Sequence, residues 1–171
     1  MSIIDQLSRR AWNLLGFAAC ALLIAYALYT QHIGGLEPCP LCTLQRLAVI
    51  GLGVVFLVAA LHDPKRLGAR VYAALLGAIA LAGAGVSAWH VRLQHLPASE
   101  TPSCGPGLDY MLEVFPLTET LKLVFTASGE CASVDWSFLG LGMPAWVLIC
   151  MALLGSVGVL ANWFTAAAAS P

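Results

Sequence analysis

Four long apolar stretches alternate with polar segments along the 171-residue chain. The apolar stretches cover about residues 12–30, 44–62, 71–90 and 144–164. Each approaches the roughly 20 residues that an α-helix needs to cross a bilayer. The pattern therefore predicts an all-α membrane protein, a single domain over residues 1–171 that forms a bundle of four transmembrane helices. We expect the first helix to be retained, because its apolar run is long and shows no convincing signal-peptide cleavage site before Gln31.

The composition supports a membrane protein and argues against a nucleic-acid-binding protein. Hydrophobic residues make up 60% of the chain and charged residues only 10%, whereas soluble domains are roughly 45–50% apolar. The net charge is −1, and the sequence has no basic run that could follow a phosphate backbone. A nucleic-acid-binding function is therefore not expected.

The basic residues predict how the helices are oriented. Five of the eight Lys and Arg residues lie before the first helix or in the short connection at 63–70, namely Arg9, Arg10, Lys65, Arg66 and Arg70. By the positive-inside rule, this side faces the cytoplasm. Both termini are then cytoplasmic, and a short loop at about 31–43 and a long loop at about 91–143 lie on the opposite side.

Four of the six cysteines fall in these two outer loops, which indicates an oxidising compartment. Cys39 and Cys42 lie in the short loop, Cys104 and Cys131 in the long loop, and their pairing cannot be chosen from the sequence. The CPLC spacing suits a redox dithiol, a structural disulfide or part of a metal site. We favour the redox dithiol, because a disulfide that closes so short a loop removes little chain entropy and would stabilise the fold only slightly. We expect no metal, because the outer histidines show no recognisable ligand spacing.

The stretch EPCPLCTLQR places the short-loop pair at the start of the second helix. Pro40 favours the first helical position, which makes Cys39 the cap residue and Cys42 the third residue of the helix. Free backbone N–H groups and the helix dipole then favour a thiolate at Cys42. Arg46 lies four residues further on the same face, where it either supports that charge or anchors the helix at the interface. Cys42 is therefore the predicted reactive thiolate.

The long loop presents its two cysteines differently. Cys104 lies in PASETPSCGPGLD, a Pro-, Gly- and Ser-rich stretch that should be open to attack by a partner thiolate. Cys131 follows after an amphipathic segment at 110–125. The apolar stripe of this segment consists of Leu117, Leu121, Val124 and Phe125. Because the loop shows no obvious core to bury the stripe, we expect a helix that lies on the membrane surface.

Small residues inside the spans are predicted to serve packing. Gly77, Ala80 and Gly83 recur at the three-residue spacing that close helix contacts in lipid require. Cys20 and Cys150 also lie inside apolar stretches. Counting the rise along each helix puts them at different depths, so we interpret both as packing residues rather than as a pair that conducts electrons across the membrane.

Taken together, these motifs resemble the DsbB family of bacterial inner-membrane thiol oxidases. The resemblance rests on CPLCTLQR, on the spaced Cys104 and Cys131, and above all on FTASGECASVDWSFLGLGMPAWVL at 125–148. It covers all four helices and both outer loops. It implies a dithiol:quinone oxidoreductase of the bacterial inner membrane, whose redox loops lie in the periplasm and whose electron acceptor is a membrane quinone, ubiquinone rather than menaquinone.

The resemblance also implies a relay of two cysteine pairs. A reduced thioredoxin-fold oxidase of the DsbA type would attack Cys104 of a Cys104–Cys131 disulfide. An inter-loop disulfide between Cys39 and Cys104 would then pass the reducing equivalents on, and Cys42 would be released as a thiolate beside the quinone.

Two further residues match positions that the family places near the quinone. Arg46 would stabilise the thiolate and the charge that develops on a quinone oxygen. His90, beside Trp89, could equally be an ordinary interface residue. Two alternatives stay open, a metal-binding or structural four-helix membrane protein with disulfide-stapled loops, and a paralogue that serves a dedicated partner oxidase by the same chemistry.

Overall fold

The computed structural model describes residues 8–97, 108–126, 129–134 and 136–168. Its elements follow in the order α1 (Arg9–His32), α2 (Pro40–His62), α3 (Arg66–Gln94), α4 (Leu108–Val114), α5 (Leu117–Thr126), a 3₁₀ helix (Gly129–Ala132), β1 (Ser137–Phe138), β2 (Leu141–Gly142) and α6 (Met143–Ala168). Helices α1, α2, α3 and α6 are long and apolar enough to cross a membrane. Each predicted span lies inside one of them, so the four-helix membrane bundle is confirmed. The small antiparallel hairpin of β1 and β2 was not predicted.

Local side-chain chemistry sets the helix ends. The Ser8 hydroxyl caps α1 by accepting the N–H of Ala11 at 3.2 Å. Cys39 is the cap residue of α2 and Pro40 its first helical residue, as predicted. At the other end of α2, a 2.7 Å salt bridge joins Asp63 to Arg9 at the start of α1. The connection between α2 and α3 therefore lies at the same end of the bundle as the start of α1, which we call the basic end.

Small residues let α3 and α6 approach closely, as predicted for Gly77, Ala80 and Gly83. A Cβ atom added at Gly83 would lie 2.8 Å from Cε of Met151, and one added at Gly77 would lie 3.2 Å from the Val159 side chain. Ala80 packs against a glycine of α6 in the same way. Larger side chains at these positions would force the two helices apart.

The chain has two apolar cores rather than one. The main core lies between the long helices and contains Cys20, Val49, Leu52, Phe56, Leu76, Ala80 and Met151. A second cluster, which we call the loop core, lies at the end opposite the basic end and contains Leu41, Leu93, Met111, Val124 and Cys131. It joins the ends of α2 and α3 to the long loop, and it therefore fixes the position of Cys131.

The loop core corrects the expectation for residues 110–125. This segment is two helices that meet at Pro116 rather than one continuous helix. Val124 is buried, whereas Leu117 is 66% exposed, so the predicted stripe is divided between the loop core and the outside. The expectation that nothing could bury the stripe was wrong, because the ends of α2 and α3 supply the buried Leu41 and Leu93.

A pair of buried amides connects the first and last helices. Asn13 of α1 and Asn162 of α6 are fully buried and donate to each other's side-chain oxygens at 3.1 and 2.8 Å. The Asn162 amide also donates to the Gly158 carbonyl at 2.9 Å. The sequence analysis did not predict this contact. Within lipid, such a pair satisfies two polar groups that would otherwise be costly to bury.

A candidate thiol redox site

Three cysteines meet at the start of α2. The Sγ atoms of Cys39 and Cys42 lie 3.0 Å apart. Cys131, carried by the 3₁₀ helix, lines the same cavity as Cys39, and the two thiols interact. Cys131 is almost completely buried, whereas Cys39 and Cys42 are half-buried. The structure therefore brings one long-loop cysteine to the short-loop pair, while Cys104 lies outside the described residues.

His90 of α3 holds the backbone of Cys131 in place. Its Nε2 atom lies 3.1 Å from the Cys131 carbonyl oxygen and 3.9 Å from Sγ of Cys39. Because a carbonyl can only accept, Nε2 carries the proton of a neutral ring. The other ring nitrogen, Nδ1, is buried and has no hydrogen-bond partner among the residues that the structure describes. His90 thus lines the same cavity as the three cysteines.

The pKa of Cys39 is raised in the reduced site. Contact with the thiol of Cys131, then with that of Cys42, and then burial raise the pKa of Cys39 well above its usual value. The Cys42 N–H donates to Cys39 Sγ at 3.3 Å, so Cys39 caps α2 with its side chain. The thiolate at Cys42 stays a prediction.

Arg46 brings a positive charge to the same place. Its guanidinium donates to the Gln31 side-chain oxygen at 2.5 Å and to the Ala27 carbonyl at 3.1 Å, both on α1. These acceptors are neutral, so they orient the guanidinium without cancelling its charge. Arg46 and Cys42 line the same two cavities.

Two cavities adjoin at Cys42. The smaller one, about 70 Å³, is lined by the three clustered cysteines and His90, and we call it the thiol cavity. The larger one, about 360 Å³, lies between α1, α2 and α6, and we call it the apolar cavity. The two share Cys42, Arg46, Trp136 and Met143. The volume of the apolar cavity is within the range of pockets that hold small organic molecules.

Aromatic side chains form one wall of the apolar cavity. The rings of Trp136 and Phe138 stack at 6.3 Å, and Tyr26 meets Trp136 edge-on at 6.2 Å. The Trp146 indole donates to the Phe138 carbonyl at 3.1 Å. A tight turn, whose Gly140 has a φ of 78°, folds this hairpin back onto the cavity. The sequence analysis did not single out these residues, although the aromatic spacing and Leu-Gly turn in WSFLGLGMPAW carry the signal.

A series of hydrogen bonds from α3 ends at Gln45, which lines the apolar cavity. The Ser87 hydroxyl donates to the Gly83 carbonyl at 2.8 Å, so its oxygen must accept the 3.1 Å hydrogen bond from Nε2 of Gln45. This order leaves Oε1 of Gln45 to the cavity, and no hydrogen bond to Oε1 is found in the described part of the chain. Gln45 is 3% exposed. The cavity is therefore lined by an acceptor from Gln45 as well as a cation from Arg46.

The remaining predicted residues fall in different places. His90, expected near a cofactor, lines the thiol cavity and is not among the residues of the apolar cavity. Cys20 packs in the main core against Gly53, as a packing residue would. Cys150 lines the apolar cavity.

Comparisons with known proteins identify the family. The family model described as Disulfide bond formation protein DsbB matches residues 9–161. Disulfide bond formation protein B of Methylococcus capsulatus is 56% identical over 156 residues, 91% of this chain and 95% of that protein. Its counterpart in Nitrosococcus oceani is 55% identical over 154 residues, covering 90% and 91% of the two chains. That of Hahella chejuensis is 47% identical over 157 residues, covering 92% of each. The chain therefore belongs to the DsbB family of disulfide bond formation proteins and is a disulfide-forming membrane oxidoreductase.

Proposed function

We propose that this protein reoxidises a periplasmic DsbA-type dithiol oxidase and passes the electrons to a membrane quinone. The observation that carries the proposal is that Cys42 lines both cavities. One sulfur can thus take part in thiol exchange on one side and meet an apolar electron acceptor on the other. In this function the cysteine-bearing end faces the periplasm of a bacterial inner membrane, and both termini are cytoplasmic. The cluster of Lys and Arg residues at the basic end supports this orientation.

Electrons enter at the long loop. A thiolate of the reduced partner attacks Sγ of Cys104 in a Cys104–Cys131 disulfide, and Cys131 leaves as a thiolate. That thiolate attacks Cys39 in the Cys39–Cys42 disulfide, so a Cys39–Cys131 bond forms and Cys42 leaves as a thiolate. The contact between Cys131 and Cys39 supports this step. We therefore assign the inter-loop bond to Cys131, in place of the Cys104 expected from the sequence.

Two further exchanges restore the long-loop disulfide and leave Cys39 and Cys42 as a dithiol, whose disulfide re-forms when its two electrons and two protons pass to the quinone. The second thiolate of the partner attacks the partner's sulfur in the mixed disulfide with Cys104. This step releases the oxidised partner and the thiolate of Cys104. Cys104 then attacks Cys131, so the long-loop disulfide re-forms and Cys39 leaves as a thiolate, which takes up a proton from solvent because its pKa is raised. Cys39 and Cys42 are now a dithiol beside the apolar cavity, and Arg46 stabilises negative charge on Cys42.

The residues of the apolar cavity fit a quinone. Its aromatic wall suits a flat ring, and the apolar side chains that α1 and α6 contribute to its lining suit an apolar tail. A bound quinone supplies the two-electron chemistry, taking two electrons and two protons to become quinol. Arg46 can donate to a ring oxygen, and Oε1 of Gln45 can accept from a quinol hydroxyl. These residues bind and orient the ring beside Cys42.

An anaerobic assay tests the proposed function. Purified protein is given a reduced thioredoxin-fold dithiol oxidase and a short-chain ubiquinone, and quinone absorbance and partner thiols are followed together. We expect one quinone to be consumed for each dithiol oxidised. Cys20→Ala, in the main core and outside both cavities, should retain this activity. A protein that is isolated with stoichiometric metal and still consumes no quinone after a chelator has removed the metal would instead be the metal-binding membrane protein that the sequence left open.

Replacing Gln45 should separate quinol binding from quinone binding. We expect Gln45→Leu to weaken quinol binding about 2- to 10-fold, the worth of one net hydrogen bond. Quinone binding should change less, because a quinone has no hydroxyl to donate. Both affinities are read from quenching of the fluorescence of Trp136 and Trp146, in a Cys42→Ser protein that cannot turn over.

A pair of serine variants controls this measurement. Ser87→Ala removes the hydroxyl that accepts the N–H of Gln45, so the Gln45 amide can turn. The ratio of quinol affinity to quinone affinity should therefore fall. Ser156→Ala makes the same change on the exposed side of α6 and should leave the preference as it is. Equal affinity for quinol and quinone in the parent protein would contradict the role given to Gln45.

A further inference from the structure

Three side chains of the thiol cavity form a set of ligands for a soft metal ion, and a fourth, Cys131, lines the same cavity. Sγ of Cys39, Sγ of Cys42 and Nε2 of His90 all lie within 4.8 Å of one another. The Cys131 thiol touches Cys39 from the loop core. In a tetrahedral zinc site with Zn–S bonds of about 2.3 Å, neighbouring ligand atoms are roughly 3.3–3.8 Å apart. For Cys39, Cys42 and His90, side-chain adjustments of about 1 Å would therefore suffice, and Cys131 would complete the set from beside Cys39.

We propose that the reduced site binds one thiophilic divalent cation, Zn²⁺ or Cd²⁺, through Cys39, Cys42, Cys131 and His90, and that the bound cation stops the relay. Binding releases the protons that the three thiols still carry, two of them if Cys42 is already a thiolate, and moves no electrons. Both disulfides of the oxidised protein lack thiolates, so only the reduced protein binds the ion. The inhibitory effect rests on the proposed function, whereas the binding itself does not.

Charge and burial favour this ligand set. Three thiolates around a divalent cation carry a net charge of −1, and the Arg46 guanidinium lines the same cavity and offsets it. Cys131 and His90 are buried, which keeps water from competing as a ligand. Soft thiolates with an imidazole select zinc-like ions over Ca²⁺ or Mg²⁺.

The histidine can join at little cost. Metal binding at Nε2 moves the ring proton to Nδ1 and replaces the 3.1 Å hydrogen bond to the Cys131 carbonyl by a metal bond. Nδ1 has no partner among the described residues in either state, so the number of unpaired ring nitrogens does not rise. His90 comes from α3, far along the chain from Cys42, which is why the spacing of histidines in the sequence gave no sign of a site.

Cadmium titration tests the binding. Reduced full-length protein, freed of reductant under argon, is titrated with Cd²⁺ while thiolate-to-metal absorption in the ultraviolet and proton release are recorded. We expect saturation at one equivalent with release of two or three protons, two if Cys42 is already a thiolate, and no uptake by the oxidised protein. Saturation at another ratio, or equal uptake by the oxidised protein, would overturn the site.

Paired variants test the ligands. Cys131→Ala and His90→Ala should each weaken Cd²⁺ binding at least about tenfold, whereas Cys104→Ala, the other long-loop cysteine, should keep it. The Cys20→Ala/Cys150→Ala double variant should also keep it, and gel filtration shows that each variant is folded. If Cys104→Ala lost binding while Cys131→Ala kept it, the assignment would be wrong.

Quinone reduction tests the inhibition. One equivalent of Zn²⁺ added to the reduced protein should stop turnover, and a chelator should restore it. Full turnover with the metal bound would refute the inhibition. If the protein reduced no quinone at all, the proposed function would fail, while the cadmium titration would still decide the metal site.

Discussion

Cys42→Ser is expected to abolish quinone reduction, with a loss of at least about a thousandfold. The variant lacks the sulfur that adjoins both cavities, and serine neither forms the disulfide with Cys39 nor supplies a nucleophile of comparable strength. The rate of quinone consumption under anaerobic conditions, with a reduced DsbA-type protein as donor, measures the loss.

The same variant should keep the first step of the relay. Attack on Cys104 does not involve Cys42, so acid quenching followed by a non-reducing gel should still show a mixed disulfide with the partner. Cys20→Ser, the same replacement in the main core, is the control for folding and should turn over normally. Turnover by Cys42→Ser above a tenth of the parent rate would contradict the assignment of the thiolate.

Cys131→Ser should lose at least about a hundredfold in quinone reduction driven by the partner protein. Without this sulfur the long loop has no leaving group for attack at Cys104 and no thiolate to reach Cys39. A small dithiol can reduce Cys39–Cys42 directly, so quinone reduction driven by dithiothreitol should stay within a few-fold of the parent rate. Comparing the two electron donors with one protein preparation measures the difference.

The two donors also separate a chemical role from a structural one. Cys131 is buried in the loop core, and its loss could disturb the start of α2. In that case both donors would fail together, and the role of Cys131 in the relay would be unsupported. Met111→Ala alters the same loop core without removing a sulfur of the relay, and it should affect the two donors equally.

The fold was predictable where it depends on neighbours along the chain. The four spans follow from unbroken apolar runs, and the start of α2 follows from Cys39 and Pro40, whose preferences act within one helical turn. A close helix contact of α3 could be anticipated from Gly83 and its spacing, although the sequence did not identify α6 as the partner. These signals are local, so they need no knowledge of what lies across the bundle.

The arrangement of the site was less predictable, because it depends on residues distant in sequence. Cys131 meets Cys39 through a loop core that combines Leu41, Leu93 and Val124, and no local pattern announces that combination. The direction of the Gln45 amide depends on Ser87 of α3, which lies 42 residues further along the chain.

Arg46 shows a different limit. The sequence requires a partner for a membrane arginine, yet it does not reveal that the partners are the neutral Gln31 side chain and a carbonyl of α1.

The buried amides of α1 and α6 have a consequence for biosynthesis. Asn13 enters the membrane with the first helix, but its partner Asn162 belongs to the last one. Until α6 has been inserted, α1 exposes an amide to lipid or to whatever assists insertion. A chain that stops after α3 therefore lacks the side chain that pairs with Asn13, whereas the complete bundle buries both amides.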